Sequence, residues 1–142
     1  MTHDTVTVQV RHTYRHPPAA VFDAWLDPRI AGGFLFATPT GTIVQVEIDA
    51  REGGGFLFVD RRDGVDVAHV GEYLEIDRPR RLVFAFKVPA FSDQSSTVAL
   101  DFAPRGDGCE VTLTHQGVLP DYAERTQDGW TGILGKLSTV LA

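Results

Sequence analysis

The sequence predicts an α+β fold, in which a curved antiparallel sheet of six to seven strands wraps around a long C-terminal helix and two short helices follow the first strand. Apolar and polar residues alternate with period two through much of the chain, as in half-buried strands. The links between the later strands are too short for parallel crossovers, so these strands pair antiparallel. Residues 121–141 instead repeat apolar side chains at steps of three and four, which is a helical pattern.

The N-terminal part of the chain predicts one strand followed by a helix. Residues 6–14 alternate with period two and read as a half-buried strand. Pro17 and Pro18 end this strand, and proline is well tolerated in the first turn of a helix. Residues 19–26 carry their large apolar side chains on one side at helical spacing, which predicts the first short helix.

A second short helix is predicted immediately after the first. Asp27 and Pro28 are typical of a helix cap and a first-turn residue, so this helix covers residues 29–31. A pair of glycines at 32–33 ends it. Residues 34–41 then form a predicted apolar loop.

Turn residues divide the middle of the chain into six further strands. Residues 53–55 are three glycines that suit a tight turn, and Asp63 with Gly64 is a hairpin signal. A further turn is predicted at residues 77–80, and a hairpin with five loop residues at 104–108. The predicted strands cover residues 43–49, 55–60, 67–76, 82–88, 97–102 and 109–115.

The chain closes with its longest predicted helix, over residues 121–141, with Pro120 suited to the first turn. A helix with one apolar stripe must bury that stripe against a sheet. We therefore expect the curved sheet to hold this helix and to leave an apolar pocket between the two layers. The predicted stripe consists of Tyr122, Thr126, Trp130, Ile133, Leu137 and Leu141.

Length, charge and composition narrow the class of protein. The 142 residues predict a single domain over 1–142, large enough to bury a core without a disulfide or metal. A net charge of −6 argues against binding nucleic acid or an anionic membrane. The longest apolar run is residues 82–86, far short of a membrane span, and Cys109 is the one cysteine. We expect no cofactor and no metal, and, without a visible secretory signal, a cytoplasmic location.

Six segments, in their order along the chain, resemble one known family. Residues 46–56 resemble the D-x-R-x-G-G-x-F segment of the START-like (SRPBCC) superfamily, in the branch related to the C-terminal domain of the activator of heat-shock protein 90 ATPase. Residues 69–82 are similar to the G-x-Y-x-E-I-x-P-x-R-L stretch of that branch. The resemblance covers about residues 8–141. The other matching segments are residues 98–102, the turn at 106–108, residues 113–117 and the start of the closing helix at Gly129 and Trp130.

The resemblance implies a helix-grip fold, and it implies little about activity because one fold supports many functions. Members of the superfamily include lipid and hormone carriers, aromatic polyketide cyclases and co-chaperones. The sequence departs from the family after the second short helix. Members commonly carry a tryptophan–aromatic pair there, whereas this chain has Gly33-Phe34-Leu35-Phe36.

Apolar side chains with a few polar ones are typical of a small-molecule pocket, although the same residues suit a packed core. Alternation places most of the residues below on inward faces or on the apolar stripe of the closing helix, and Phe34 and Phe36 are a possible mouth of the pocket. The facing of His69 and Tyr73 stays open, because both faces of their strand carry side chains that can be buried and a bulge near Gly71 could switch them. His115, His69 and Tyr73 are the polar candidates among them. The predicted ligand-binding residues are Phe34, Phe36, Phe56, Phe58, His69, Tyr73, Phe84, Phe86, Leu100, Phe102, Leu113, His115, Tyr122 and Trp130.

Three hypotheses for function follow. The first is a module that binds a hydrophobic small molecule of lipid, aromatic or polyketide type. The second is a cyclase-, hydratase- or isomerase-type enzyme in the same cavity, with His115, Tyr73 or Glu47 as acid or base, although no catalytic motif is diagnostic. The third is a protein-binding module like the co-chaperones, in which the basic turns at Arg61-Arg62 and at residues 78–81 form a docking patch for an acidic protein surface. A homodimer and a chaperone partner are further expectations.

Overall fold

Seven strands and a long closing helix form the frame of the part of the chain that the structure describes. The computed structural model describes residues 5–36, 41–90 and 94–141. The elements are β1 (Val6–Tyr14), α1 (Pro18–Leu26), α2 (Pro28–Ala31), β2 (Thr42–Ile48), β3 (Gly55–Arg62), β4 (Val65–Asp77), β5 (Arg81–Lys87), β6 (Ser96–Arg105), β7 (Gly108–Val118), a 3₁₀ turn (Pro120–Tyr122) and α3 (Ala123–Leu141). The predicted loop over residues 34–41 lies partly outside the described residues, which omit 37–40.

The strands form one sheet in the order β1-β7-β6-β5-β4-β3-β2, and every neighbouring pair is antiparallel. From β2 to β7 each strand lies beside the next one in sequence, because their connections are short. The first strand pairs with the last, so β1 and β2 are the edges of the described sheet. The predicted α+β architecture is therefore confirmed.

The hairpin between β3 and β4 has the tight turn that its sequence predicts. Arg62 pairs with Val65, which leaves Asp63 and Gly64 as a two-residue loop. Asp63 has φ 51° and Gly64 has φ 79°. Two residues with positive φ match the twist of a hairpin, and asparagine, aspartate and glycine accept this conformation most readily.

The hairpin between β6 and β7 differs from its prediction. The expected five-residue loop is wrong, because the pairing continues through Pro104 opposite Cys109 and Arg105 opposite Gly108. The turn consists of the two residues at 106–107. The register between β5 and β6 ends at Asp101, so Pro104 lies beyond the β5 ladder, where a strand tolerates a residue without an N–H donor.

Strand β4 turns His69 and Tyr73 toward the core. Both side chains are buried, whereas Leu74 is 47% exposed. The pairing with β5 shifts between Tyr73 and Glu75, and after this irregularity Ile76 packs against the core. The sequence left the facing of this strand open, with a bulge considered near Gly71; the structure has the irregularity three residues later.

Helix α3 buries one side and is fixed to the sheet edge. Trp130, Leu134 and Leu137 are its buried side chains. The hydroxyl of Tyr14 on β1 donates a hydrogen bond to the Leu134 carbonyl over 2.8 Å, and both groups are buried. The predicted helical stripe is wrong at Tyr122, because the C-terminal helical segment begins with a 3₁₀ turn and the α-helix starts only at Ala123. The three residues per turn of the 3₁₀ segment change the phase of the stripe.

Candidate ligand-binding site

An aromatic cluster fills one end of the space between the sheet and α3. Its rings come from β3, β4, β5, β7, α3 and the turn after α2, and most of them are buried. Aromatic rings bury large areas and prefer edge-to-face or offset contacts, which is the pattern found here. The aromatic cluster consists of Phe36, Phe56, Phe58, His69, Phe84, Phe86, His115 and Trp130.

Phe36 lies at the centre of the aromatic cluster. Its ring is stacked on His69, with centroids 4.5 Å apart and planes 18° from parallel. Two phenylalanine rings of β3 lie 5.3 and 5.8 Å from it, that of β5 lies 5.4 Å away, and the Trp130 ring lies 6.0 Å away. A side chain of the protein itself therefore lies where the sequence predicts a pocket.

The turn after α2 holds Phe36 in this position. The amides of Phe34 and Leu35 both donate to the Ala31 carbonyl, over 3.1 and 2.8 Å, so the helical path continues for one more turn. Phe34 packs edge-on against Trp25 of α1, 5.2 Å between centroids. Phe36 itself has φ 59°, a left-handed conformation that is uncommon for a residue other than glycine.

His69 is a polar side chain with an incompletely satisfied ring. It is 6% exposed and lies opposite Phe58 in the sheet. Its Nδ1 atom is buried without a hydrogen-bond partner of good geometry among the described residues, although the Phe58 and Val67 carbonyls lie nearby. Burial, aided by the Arg62 charge, lowers the pKa of His69 to about 4, so the ring is neutral at pH 7.

His115 is also 6% exposed, and both of its ring nitrogens have partners. The indole N–H of Trp130 donates to Nδ1 over 3.0 Å, and the Ser96 hydroxyl lies 2.7 Å from Nε2. Burial lowers the pKa of His115 to about 4. A neutral imidazole has one N–H, so a ring that accepts at Nδ1 carries its proton on Nε2 and donates it to Ser96.

Ser96 is a site residue that the sequence analysis missed. It is the first residue of β6, lies opposite Phe86, and is partly exposed. Counting back in steps of two from the buried Leu100 and Val98 reaches Ser96, so alternation could have found it. The predicted strand began at residue 97 and stopped one residue short.

The other predicted ligand-binding residues fall outside the aromatic cluster. Tyr73 is buried beside Phe56 at 5.6 Å, and Phe102 packs against Phe22 of α1 at 5.1 Å. Tyr122 is 50% exposed and has the Arg125 guanidinium 5.7 Å above its ring, so it faces away from this interior. The remaining three are buried members of the general core: Phe34, Leu100 and Leu113.

The three residues predicted as acid or base have separate surroundings. Glu47 is exposed on the edge strand β2, where its carboxylate accepts a hydrogen bond from Gln45. Tyr73 contacts Phe56, and burial, followed by the charge of Asp49, raises the pKa of its hydroxyl. His115 instead contacts Ser96 and Trp130. This arrangement does not bring Glu47, Tyr73 and His115 together on one reacting atom.

The arginines of the predicted basic turns are each paired with a carboxylate of this chain. Arg61 lies 2.7 Å from Asp66, and Arg62 pairs with the buried carboxylate of Asp60. Three more arginines have the same kind of partner: Arg78 with Asp23, Arg80 with Asp77, and Arg81 with Asp101. An acidic partner protein would have to compete with these local carboxylates.

A recess of about 390 Å³ lies along β2, β3 and β4 and includes Phe56 of the aromatic cluster. Its lining residues are Glu47, Ile48, Asp49, Gly55, Phe56, Leu57 and Gly71. Within residues 5–36, 41–90 and 94–141, no group of three His, Cys, Asp or Glu side chains is arranged to hold a metal ion. No helix in the same ranges is long and apolar enough to cross a membrane.

A curved antiparallel sheet, two short helices after its first strand and a long C-terminal helix define a START-like, helix-grip protein. The family model described as Activator of Hsp90 ATPase homolog 1-like protein matches residues 15–142, and the chain belongs to this family. The resemblance predicted from the sequence is thus confirmed. No curated protein matches the sequence at a significant level.

Solved structures share this fold at low sequence identity. A protein from Chromobacterium violaceum has a TM-score of 0.85 at 23% identity, with 94% of this chain and 95% of that chain covered. A protein from Mycobacterium smegmatis has a TM-score of 0.80 at 20% identity, covering 99% and 94%. An AHSA1-like protein from Aeromonas hydrophila has a TM-score of 0.81 at 21% identity, covering 96% and 92%. At such identities the likeness shows the fold alone.

Proposed function

We propose that this protein binds a hydrophobic small molecule, of the aromatic, polyketide or lipid type, within the aromatic cluster between the sheet and α3. The observation that carries the proposal is the position of Phe36, whose ring is stacked on His69 and contacted by aromatic side chains from both layers. These surroundings are complementary to a planar ring. A ligand ring takes the place of the Phe36 ring, which makes planar aromatic molecules the favoured class.

Phe36 is the member of the aromatic cluster that can move at the lowest cost. Its neighbours lie on paired strands or on α3, so moving their backbone breaks hydrogen bonds of the sheet or the helix. Phe36 lies on a connection, and its φ of 59° costs on the order of 1 kcal/mol that a different loop conformation would recover. Opening the site therefore requires the Phe36 side chain to leave its place while the sheet and α3 stay intact.

The polar composition of the site agrees with a binding role. Ligand sites are mostly apolar, with a few placed polar groups that set orientation. His69 offers a buried ring nitrogen that lacks a well-aligned partner among the described residues, and a ligand hydroxyl or carbonyl could complete it. Both buried histidines are neutral at pH 7, so the site favours uncharged ligands.

Thermal denaturation with defined probes tests the proposal. The probes are 2-naphthol and 2-acetylnaphthalene as planar aromatics and 1-dodecanol as an uncharged lipid-like molecule. Ligands that bind the native state raise its melting temperature in a saturable manner. We expect this for the naphthalenes, with a change in Trp130 fluorescence in a Trp25→Phe background, because Trp130 is then the one tryptophan and contacts Phe36. Absence of saturable binding by all three probes contradicts the proposal.

Two matched substitutions test the location of the site. Phe36→Leu removes the competing ring, and we expect naphthalene affinity to rise roughly tenfold, since the binding-competent state no longer has to be selected from a minor population. Phe102→Leu makes the same chemical change in the core beside Phe22, outside the aromatic cluster, and should leave affinity unchanged. Equal effects of the two substitutions contradict binding at Phe36.

The alternative functions have less support. An enzyme of the cyclase or hydratase type needs converging acid and base groups, and the predicted three are separated. A co-chaperone-like module needs a free basic surface, and the arginines of the turns are paired within the chain. A homodimer, a chaperone partner and a cytoplasmic location stay predictions.

A further inference from the structure

We propose that Ser96, His115 and Trp130 form a hydrogen-bond relay that presents the hydroxyl proton of Ser96 to an acceptor atom of the ligand, such as a carbonyl oxygen. The inference rests on the proposed function, because it concerns the polar end of a molecule bound in the aromatic cluster. It narrows the ligand class to apolar, preferably aromatic, molecules that carry an uncharged oxygen acceptor.

The direction of the relay follows from the number of protons on a neutral imidazole. Trp130 can only donate through its indole nitrogen, so Nδ1 of His115, 3.0 Å away, must accept. The single ring proton is then on Nε2 and is donated to the Ser96 oxygen over 2.7 Å. Ser96 accepts from His115, and its own hydroxyl proton is left to donate to another partner.

This proton direction is the reverse of the one in a serine nucleophile. A histidine that activates a serine needs a lone pair on the nitrogen facing the hydroxyl, which an acidic partner on the other nitrogen provides. Here a donor occupies the other nitrogen, so the nitrogen that faces Ser96 carries a proton. The relay therefore suits recognition of an acceptor and does not suit covalent catalysis.

The location of Ser96 allows the contact. Ser96 is partly exposed and lies opposite Phe86 in the sheet. The Phe86 ring is 5.4 Å from that of Phe36 and 5.3 Å from that of His115. A ligand ring in the place of Phe36 thus lies one side chain away from the relay.

The uncharged surroundings of His115 keep its ring in one protonation state, the neutral one. Val8 lies opposite it on β1, and Phe86, Ser96 and Trp130 face it from β5, β6 and α3; none of the four is charged. Burial is the cause that holds the pKa of His115 at about 4, so the ring stays neutral throughout the physiological range. Protonation would place a donor on Nδ1 and disrupt the bond from Trp130.

Nitrogen-15 NMR of the imidazole rings tests the relay without any ligand. We expect His115 of the wild-type protein at pH 7 to show the Nε2–H form. Trp130→Phe removes the donor to Nδ1, and we expect a mixture of the two neutral forms there. A wild-type His115 in the Nδ1–H form overturns the proposal, whether or not any ligand binds.

A matched pair of probes tests the role of Ser96 in recognition. The probes are 2-acetylnaphthalene, which carries a carbonyl oxygen, and 2-ethylnaphthalene, which does not. We expect wild-type protein to bind the ketone roughly five- to tenfold more tightly, as for one hydrogen bond. Ser96→Ala should remove this preference without changing the affinity for 2-ethylnaphthalene, and Ser95→Ala, beside it in the chain, should retain the preference.

The outcomes separate the two proposals. If both naphthalenes bind and Ser96→Ala keeps the preference for the ketone, or the wild type has none, the relay is overturned and the proposed function stands. If neither the naphthalenes nor 1-dodecanol bind, the proposed function is contradicted, and recognition by Ser96 is contradicted with it. Stoichiometric labelling of Ser96 by a fluorophosphonate also overturns the relay, because that reaction needs an unprotonated Nε2.

Discussion

The ring of Phe36 lies 4.5 Å from the imidazole of His69, with the two planes 18° from parallel. This contact joins the turn after α2 to β4 and places the Phe36 side chain between the sheet and α3. His69 has a neutral ring in this position because burial disfavours its charged form. The contact therefore links the packing of the turn after α2 to the pH dependence of the stability of the fold.

The first prediction is that stability falls between pH 6.5 and pH 4. Unfolded histidine binds a proton near pH 6.5, whereas folded His69 and His115 bind theirs near pH 4. In this window the unfolded state binds more protons, so the free energy of unfolding decreases as the pH falls, by at most about 3 kcal/mol for each histidine. Urea unfolding at a series of pH values measures the slope.

His69→Phe should reduce that slope to about half, because one of two similar groups no longer titrates. The pH 8 stability of each protein is its own reference, so packing changes from the substitution cancel. The paired carboxylates Asp23 and Asp66 have pKa values lowered by their arginine partners, so they take up protons at pH values below this window and do not add to the slope within it. An unchanged slope in His69→Phe would show that His69 titrates normally in the folded protein.

The second prediction is that Gly71→Ala destabilises the protein. A Cβ at Gly71 would lie 2.2 Å from the Phe56 ring and 2.6 Å from the Ala85 carbonyl oxygen. The ring and the neighbouring strand β5 must both move, which costs about 1–3 kcal/mol for overpacking of this kind. Chemical denaturation gives the loss, and a near-wild-type value would mean that Phe56 has room to move aside.

The third prediction is that Gly129→Ala and Gly132→Ala stabilise the protein. A Cβ at either position meets nothing within 4 Å, and both residues lie on the exposed side of α3. These glycines therefore do not serve close packing on the sheet. Alanine is favoured over glycine within a helix by about 0.5–1 kcal/mol. A rise in the denaturation midpoint checks this, and a fall would contradict the prediction.

The fourth prediction is that Tyr14→Phe weakens the attachment of α3. The substitution removes the buried hydrogen bond to the Leu134 carbonyl and leaves the ring in place. We expect a loss of about 1 kcal/mol in the free energy of unfolding. Tyr122→Phe is the matched control, because that side chain is half exposed and should tolerate the change. Equal effects of the two substitutions would exclude a specific role for the hydrogen bond.

The sequence by itself determined the order of the elements, the antiparallel pairing and the family. These features are local: alternation along residues 6–14, the turn at Asp63 and Gly64, and the helical spacing around Trp130 each fall within a short stretch of chain. Where a feature depended on details at the end of an element, prediction failed. The predicted loop at 104–108 is longer than the observed two-residue turn, and Tyr122, predicted in the helical stripe, lies in the 3₁₀ turn before the helix.

Only the tertiary structure decided what lies between sheet and helix. Periodicity shows which way a side chain faces, but it does not show how much volume its neighbours occupy. Phe36 and His69 are 33 positions apart in sequence, and their stacking follows from the path of the turn after α2. Likewise, Ser96, His115 and Trp130 meet because two strands and α3 converge at one end of the sheet. Such contacts arise from packing between distant segments, which no local pattern encodes.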